Sequence, residues 1–199
     1  YPLVYALFLS LYNYRLTDPA GRTFVGLRNY AVILTDPVWW NDFLTTLFIT
    51  VVTVAIELVL GFMFAYVMLR IIRGRGLMRT AILIPYGIVT VVSAFVWRYG
   101  FAIDSGFVNG WLNLGDFNWF GERWSALFVI CLSEIWKTTP FISLLLLAGL
   151  VQVPEDMQEA AKVDGATAWQ RLWKVTLPNM KAAIMVALLF RTLDAWRIF

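Results

Sequence analysis

The chain has 199 residues, 60% hydrophobic and 15% charged, with 16 basic against 13 acidic side chains and no histidine. A soluble domain is nearer half apolar and a quarter charged, and a mean hydropathy of +0.71 sets this chain apart from that class. The net charge of +3 is too small and too dispersed for a nucleic-acid binder. A single cysteine, Cys131, excludes a disulfide framework or a cysteine-ligated metal site. The missing histidine removes the commonest general base and metal ligand.

In chain order, residues 1–14 are apolar from the start, with no basic leader region and no small-residue cleavage site, so they do not read as a signal peptide. Residues 43–69 hold one charge, Glu57; residues 80–97 hold none; residues 124–151 hold two, Glu134 and Lys137. Each run reaches or approaches the ~20 residues that cross hydrocarbon. Residues 182–199 form a further apolar run. This pattern predicts an all-α integral membrane bundle of five helices, the first and last incomplete, in a fragment of a longer protein. Long runs without turn signals satisfy their backbone in lipid as helices rather than as barrel strands.

Residues 70–79 carry Arg70, Arg73, Arg75 and Arg79 and no acid, which places that loop in the cytoplasm. Counting helices puts 151–181 on the same side, with Lys162, Arg171, Lys174 and Lys181, against Arg15, Arg22, Arg28 and Arg123 outside. Trp39, Trp40, Trp111, Trp119 and Trp124 fall at the outer loops and helix ends, at head-group level or packed within the loops.

The cytoplasmic stretch 152–181 is polar and helix-capable. Pro154 suits a helix start, and Glu155, Asp156 and Glu159 complement its positive end. Gly165 ends or bends that helix, and Thr167 with Gln170 forms a capping box for a second one. The second helix is expected to stop before Pro178. Ala160, Ala161, Gly165 and Ala166 make a small-residue face that lets another protein approach the backbone. An amphipathic interfacial hairpin without a partner is the alternative.

Glu57, Glu134, Lys137, Arg191 and Asp194 lie in apolar segments, where charge costs about 2.5–3.5 kcal/mol on insertion scales and normally faces a bundle interior or a watery path. Glu134 and Lys137, Arg191 and Asp194, and Asp194 and Arg197 are each three apart, on one helix face. They line a polar path, with Trp136 or Trp196 offering a flat ring face for stacking, or they pair internally to fix helix packing. Asp194 and Glu57 lie deepest. Pro140, after Thr138 and Thr139, predicts a kink whose freed carbonyl a threonine hydroxyl satisfies. Pro85 predicts the same early in the third helix.

The motif Glu159-Ala160-Ala161…Gly165…Leu177-Pro178 resembles the cytoplasmic signature of permease subunits of bacterial ATP-binding-cassette importers. Trp136-Lys137-Thr138-Thr139-Pro140 through Gly149 to Pro154, Gly26-Leu27-Arg28-Asn29-Tyr30 with Asp36-Pro37, and Phe190-Arg191-Thr192-Leu193-Asp194 extend the resemblance to the carbohydrate, maltose-permease-like branch. The resemblance implies a single permease domain over 1–199, lacking the family's sixth core helix, with 152–181 as its coupling loop. It implies Glu159, Ala160, Ala161, Asp164, Gly165, Ala166, Leu177 and Pro178 as the ATPase-docking element. It implies a place in the bacterial plasma membrane and four partners: a second homologous permease, two ATPases carrying ATP and Mg, and an external sugar-binding protein. The implied cargo is a disaccharide, trehalose ahead of maltose-like sugars. The chain has no Gly-x-x-x-x-Gly-Lys-Ser/Thr loop, and Gly74-Arg75-Gly76 reads as a turn. An intramembrane enzyme using Glu57 and Asp194, and a stand-alone channel or secondary transporter, are the rival classes.

Overall fold

A computed structural model describes residues 1–15, 17–71 and 73–197, without side-chain detail at 15, 18–20 and 75. The predicted continuation through Ile198 and Phe199 lies outside the described residues. Residues Tyr1–Leu47 form one compact unit, and the described residues from Phe48 to Arg197 form a second.

In the first unit, α1 (Pro2–Ser10) starts on a proline, whose missing N–H costs nothing at a first helical position. It covers nine residues, under half the ~20 needed to cross hydrocarbon. The predicted helix over 1–14 gives way after Ser10 to an antiparallel hairpin, β1 (Tyr12–Arg15) and β2 (Asp18–Phe24). Tyr12 pairs with Phe24 and Asn13 with Thr23, and the Tyr12 and Phe24 rings meet edge to face at 5.3 Å. Asn29, near the start of α2 (Arg28–Thr35), donates to the carbonyls of Ser10 at 2.8 Å and Tyr12 at 3.1 Å. Its amide thereby joins α1, the hairpin and α2.

Helix α3 (Pro37–Arg70) is unbroken for 34 residues. The predicted span over 80–97 is instead two helices, α4 (Arg75–Gly87) and α5 (Thr90–Gly100), meeting at 87°. Ile88 and Val89, both β-branched and both extended, sit at the break just beyond Pro85 and Gly87. A short α6 (Phe107–Leu112) precedes α7 (Arg123–Val151), which continues through Pro140 as one helix of 29 residues. Thr138 and Thr139 donate to the carbonyls of Glu134 at 2.7 Å and Ile135 at 2.5 Å. They do not reach the Trp136 carbonyl that Pro140 frees, contrary to expectation.

The polar loop forms α8 (Glu155–Val163), α9 (Ala168–Arg171), a π turn (Leu172–Thr176) and α10 (Leu177–Asn179), followed by α11 (Lys181–Ala195). The helical path therefore runs one residue past Pro178, to Asn179, instead of ending before it, and a 70° bend then leads into α11. The π turn explains this. The Leu177 N–H reaches back five residues to the Leu172 carbonyl, so Pro178 enters on a fresh helical start, where its missing N–H is tolerated. Among the described residues, two helices are long and apolar enough to cross a membrane, α3 and α7, or four spans if each bent pair counts as one.

The second unit is held by close helix contact. Ala65 and Met68 of α3, Ile142, Leu146, Leu147 and Leu150 of α7, and Met180 and Ala187 at α11 form its main buried cluster. Gly61 faces Ile142 so tightly that a β-carbon there would stand 2.7 Å from Ile142 Cγ2. Apolar faces gain little from leaving lipid for one another, so small residues and tight packing carry helix association. Thr50, Thr53 and Glu57 are buried along one face of α3, a polar stripe that leads to the site.

Candidate functional site

Glu57 lies midway along α3, Glu134 and Thr138 one turn apart on α7, and Arg191 and Asp194 one turn apart on α11. The packing brings them together. Arg191 Nε donates to Glu57 Oε2 at 2.6 Å and its Nη2 to Glu57 Oε1 at 3.0 Å, a bidentate pair. Nη2 also donates to Glu134 Oε2 at 3.2 Å, and Nη1 to Asp194 Oδ2 at 3.1 Å. The Thr138 hydroxyl lies 2.6 Å from Glu57 Oε1. Arg191 and Glu57 are 1% and 0% exposed, whereas the side chains of Glu134 and Asp194 are 19% and 59% exposed.

The i, i+3 pairing of Arg191 with Asp194 forms as its spacing predicted. The Glu134–Lys137 pairing does not. Glu134 turns to Arg191, and Lys137 Nζ donates to Thr90 Oγ1 at the start of α5. A recess of about 260 Å³ opens beside Asp194, lined by Tyr86, Thr138, Phe141, Phe190, Leu193, Asp194 and Arg197. Neither predicted stacking residue lines it. Trp136 stands edge-on to Trp97 at 5.9 Å, and Trp196 caps the end of α11. The rings at the recess are Tyr86 and Phe141, stacked at 5.4 Å and 14°. Thr90, Thr138, Tyr86 and Phe141 carry no charge and no distinctive spacing, so only the packing reveals them.

The second constellation is the loop 152–181. Glu155 and Asp156 occupy the first turn of α8 and Lys162 its last, each complementing the helix dipole. Gly165 has φ +79°, its N–H reaches the Lys162 carbonyl, and the Ala166 N–H reaches the Ala161 carbonyl at 2.9 Å. Those two bonds make a Schellman cap. Thr167 and Gln170 exchange both bonds of the capping box, at 3.3 and 2.8 Å. Gln158 on α8 donates to Thr176 Oγ1 in the π turn at 2.9 Å, tying the two arms together. Glu159, Ala160, Asp164, Gly165 and Pro178 are exposed, and Ala161, Ala166 and Leu177 are half-buried. Nothing lies within 4 Å of where a Gly165 β-carbon would sit.

The sequence profile of the binding-protein-dependent transport system inner membrane components matches residues 37–199. The chain belongs to this family. This inner membrane component is 53% identical over 199 residues to the trehalose transport system permease protein SugA of Mycobacterium tuberculosis, covering all of this chain and 64% of that one. It is 39% identical to the trehalose/maltose transport system permease protein MalF of Thermococcus litoralis, covering all of this chain and 68% of that one. A crystal structure of a bacterial ABC transporter involved in import of the acidic polysaccharide alginate shares its fold, with a TM-score of 0.79 at 20% identity over 98% of this chain and 68% of that one.

Proposed function

We propose that this chain is the permease subunit of an ATP-driven importer of trehalose or a closely related disaccharide. The observation that carries the reading is the 53% identity to the mycobacterial trehalose permease along the whole chain. The chain forms part of the translocation path and hydrolyses no ATP. It pairs with a second, homologous permease, takes cargo from an external binding protein, and docks on one of the assembly's two ATPases, which hold ATP and Mg.

The loop 152–181 is the coupling element and faces the cytoplasm of a bacterium. Two features support this role. Small residues at Ala160, Ala161, Gly165 and Ala166 allow close backbone approach, and Glu159 and Asp164 are exposed carboxylates able to form charge-assisted bonds with a basic partner. The caps at both ends of the turn give it a fixed shape, so a push from an ATPase is transmitted rather than absorbed. Through α10 it runs on to α11, which carries Arg191 and Asp194.

The test is ATPase activity of the reconstituted full assembly against a panel of sugar-loaded binding proteins. Stimulation by trehalose ahead of other disaccharides is expected. Stimulation by a different sugar would reassign the cargo, and no stimulation by any sugar in an assembly that binds ATP would overturn the importer reading.

A further inference from the structure

We infer that Glu57 and Arg191 are positioning residues that hold the carboxylates of Asp194 and Glu134 as oriented acceptors at the edge of the cargo path. The inference rests on the importer reading above. A buried guanidinium inside a membrane protein needs one counter-charge, and Glu57 supplies it through two bonds at 2.6 and 3.0 Å. For fixing the packing of α3 against α11, that pair suffices. Two further carboxylates nevertheless converge on the same guanidinium, from Glu134 at 3.2 Å and Asp194 at 3.1 Å.

Among the described residues Arg191 is the one cation paired with these three carboxylates, so the paired cluster carries surplus negative charge, with Arg197 standing in the lining of the recess beside Asp194. Surplus charge is costly where it is buried and tolerable where water or a polar cargo reaches it. Exposure follows that rule, at 0% for Glu57, 19% for Glu134 and 59% for Asp194. The cluster thus grades from a closed ion pair to a carboxylate on an open recess. A carboxylate only accepts hydrogen bonds, and a sugar hydroxyl is a donor. With Oδ2 bonded to Arg191, the Asp194 carboxylate is biased toward one orientation, in which Oδ1 is left to accept. Glu57 in turn fixes Arg191, so its influence on cargo passes through the guanidinium and requires no contact with the sugar.

A double-mutant cycle in the reconstituted full assembly tests this, read as sugar uptake at saturating loaded binding protein. Glu57→Gln is expected to lower uptake about tenfold in the wild-type background but less than about twofold on Asp194→Asn, because residues acting as one unit are not additive. Glu57→Gln and Asp194→Asn should also shift selectivity toward the same monodeoxy analogue of the sugar, a readout that loosened packing alone does not move. Equal fold losses in both backgrounds, with selectivity unchanged, would overturn the inference. If Glu57→Gln does not assemble, the neutral pair Glu57→Gln/Arg191→Gln replaces it in the same cycle, and failure of that pair to assemble also counts against positioning. Wild-type sugar-stimulated ATPase is the baseline. Its absence sinks the importer reading, whereas its presence with an additive cycle sinks only the positioning role.

Discussion

Gly149 of α7 faces Ala183 of α11 so closely that a β-carbon on Gly149 would stand 2.5 Å from the Ala183 β-carbon. This contact lies at the cytoplasmic end of α7 in the proposed orientation and belongs to the same α7–α11 packing that brings Glu134 to Arg191. Gly149→Val should destabilise the bundle by about 1–3 kcal/mol through overpacking. Thermal unfolding in detergent should show the loss, and Ala183→Gly in the same chain should recover part of it. An unchanged midpoint for Gly149→Val would mean that the two helices are not held at this distance.

Removing one partner of the Arg191–Glu57 pair leaves a charge buried without its counterpart. Arg191→Ala should therefore cost about 3–5 kcal/mol and depress accumulation in the membrane. Replacing both residues with leucine removes that pair but leaves Glu134, 19% exposed, without Arg191, so Glu57→Leu/Arg191→Leu/Glu134→Gln should accumulate near wild-type levels while losing uptake. Quantitative immunoblotting of membrane fractions, with parallel uptake assays, separates these outcomes.

Gly165 has φ +79°, where an L side chain is strained by roughly 1–2 kcal/mol. Space is open around it, so a substitution acts through backbone strain and through whatever docks there. Gly165→Asp is expected to abolish sugar-stimulated ATPase while the permease still accumulates. Gly165→Asn, better tolerated in the left-handed region, should retain more stimulation. Normal uptake by Gly165→Asp would count against the docking role.

Thr167→Ala removes the hydroxyl that receives the Gln170 N–H and should weaken the start of α9 by about 1 kcal/mol. Hydrogen exchange of the Gln170 amide should rise severalfold, and amides in the middle of α7 should be unaffected. Protection that stays at the wild-type level would show that the Gln158–Thr176 bond, not the cap, secures this turn.

Several features were legible in the residues because their causes are local. The spans α3 and α7 follow from long, mostly apolar runs, the acidic first turn of α8 from the helix dipole, and the Thr167–Gln170 box from a spacing of three. Gly165 announces a helix end because few other residues tolerate its backbone angle. Each of these terms acts within a turn or two of one helix, and the chain order alone records it.

Other features depended on which surfaces meet. Tyr12 and Tyr14 extend an apolar run as a helix would, yet Phe24 and Asn29 draw that segment into a hairpin. The break at Ile88 and Val89 lies inside an uncharged stretch, and Pro178 looked terminal until a π turn allowed the helix to run one residue past it. Spacing along α7 offered Lys137 to Glu134, but Arg191 from α11 is the partner that packing delivers. The sequence by itself determined that buried charges had to find counter-charges, because lipid offers none. Only the tertiary structure decided that Arg191 meets Glu57 across 134 residues, because that choice rests on how three helices pack and not on any periodicity within one.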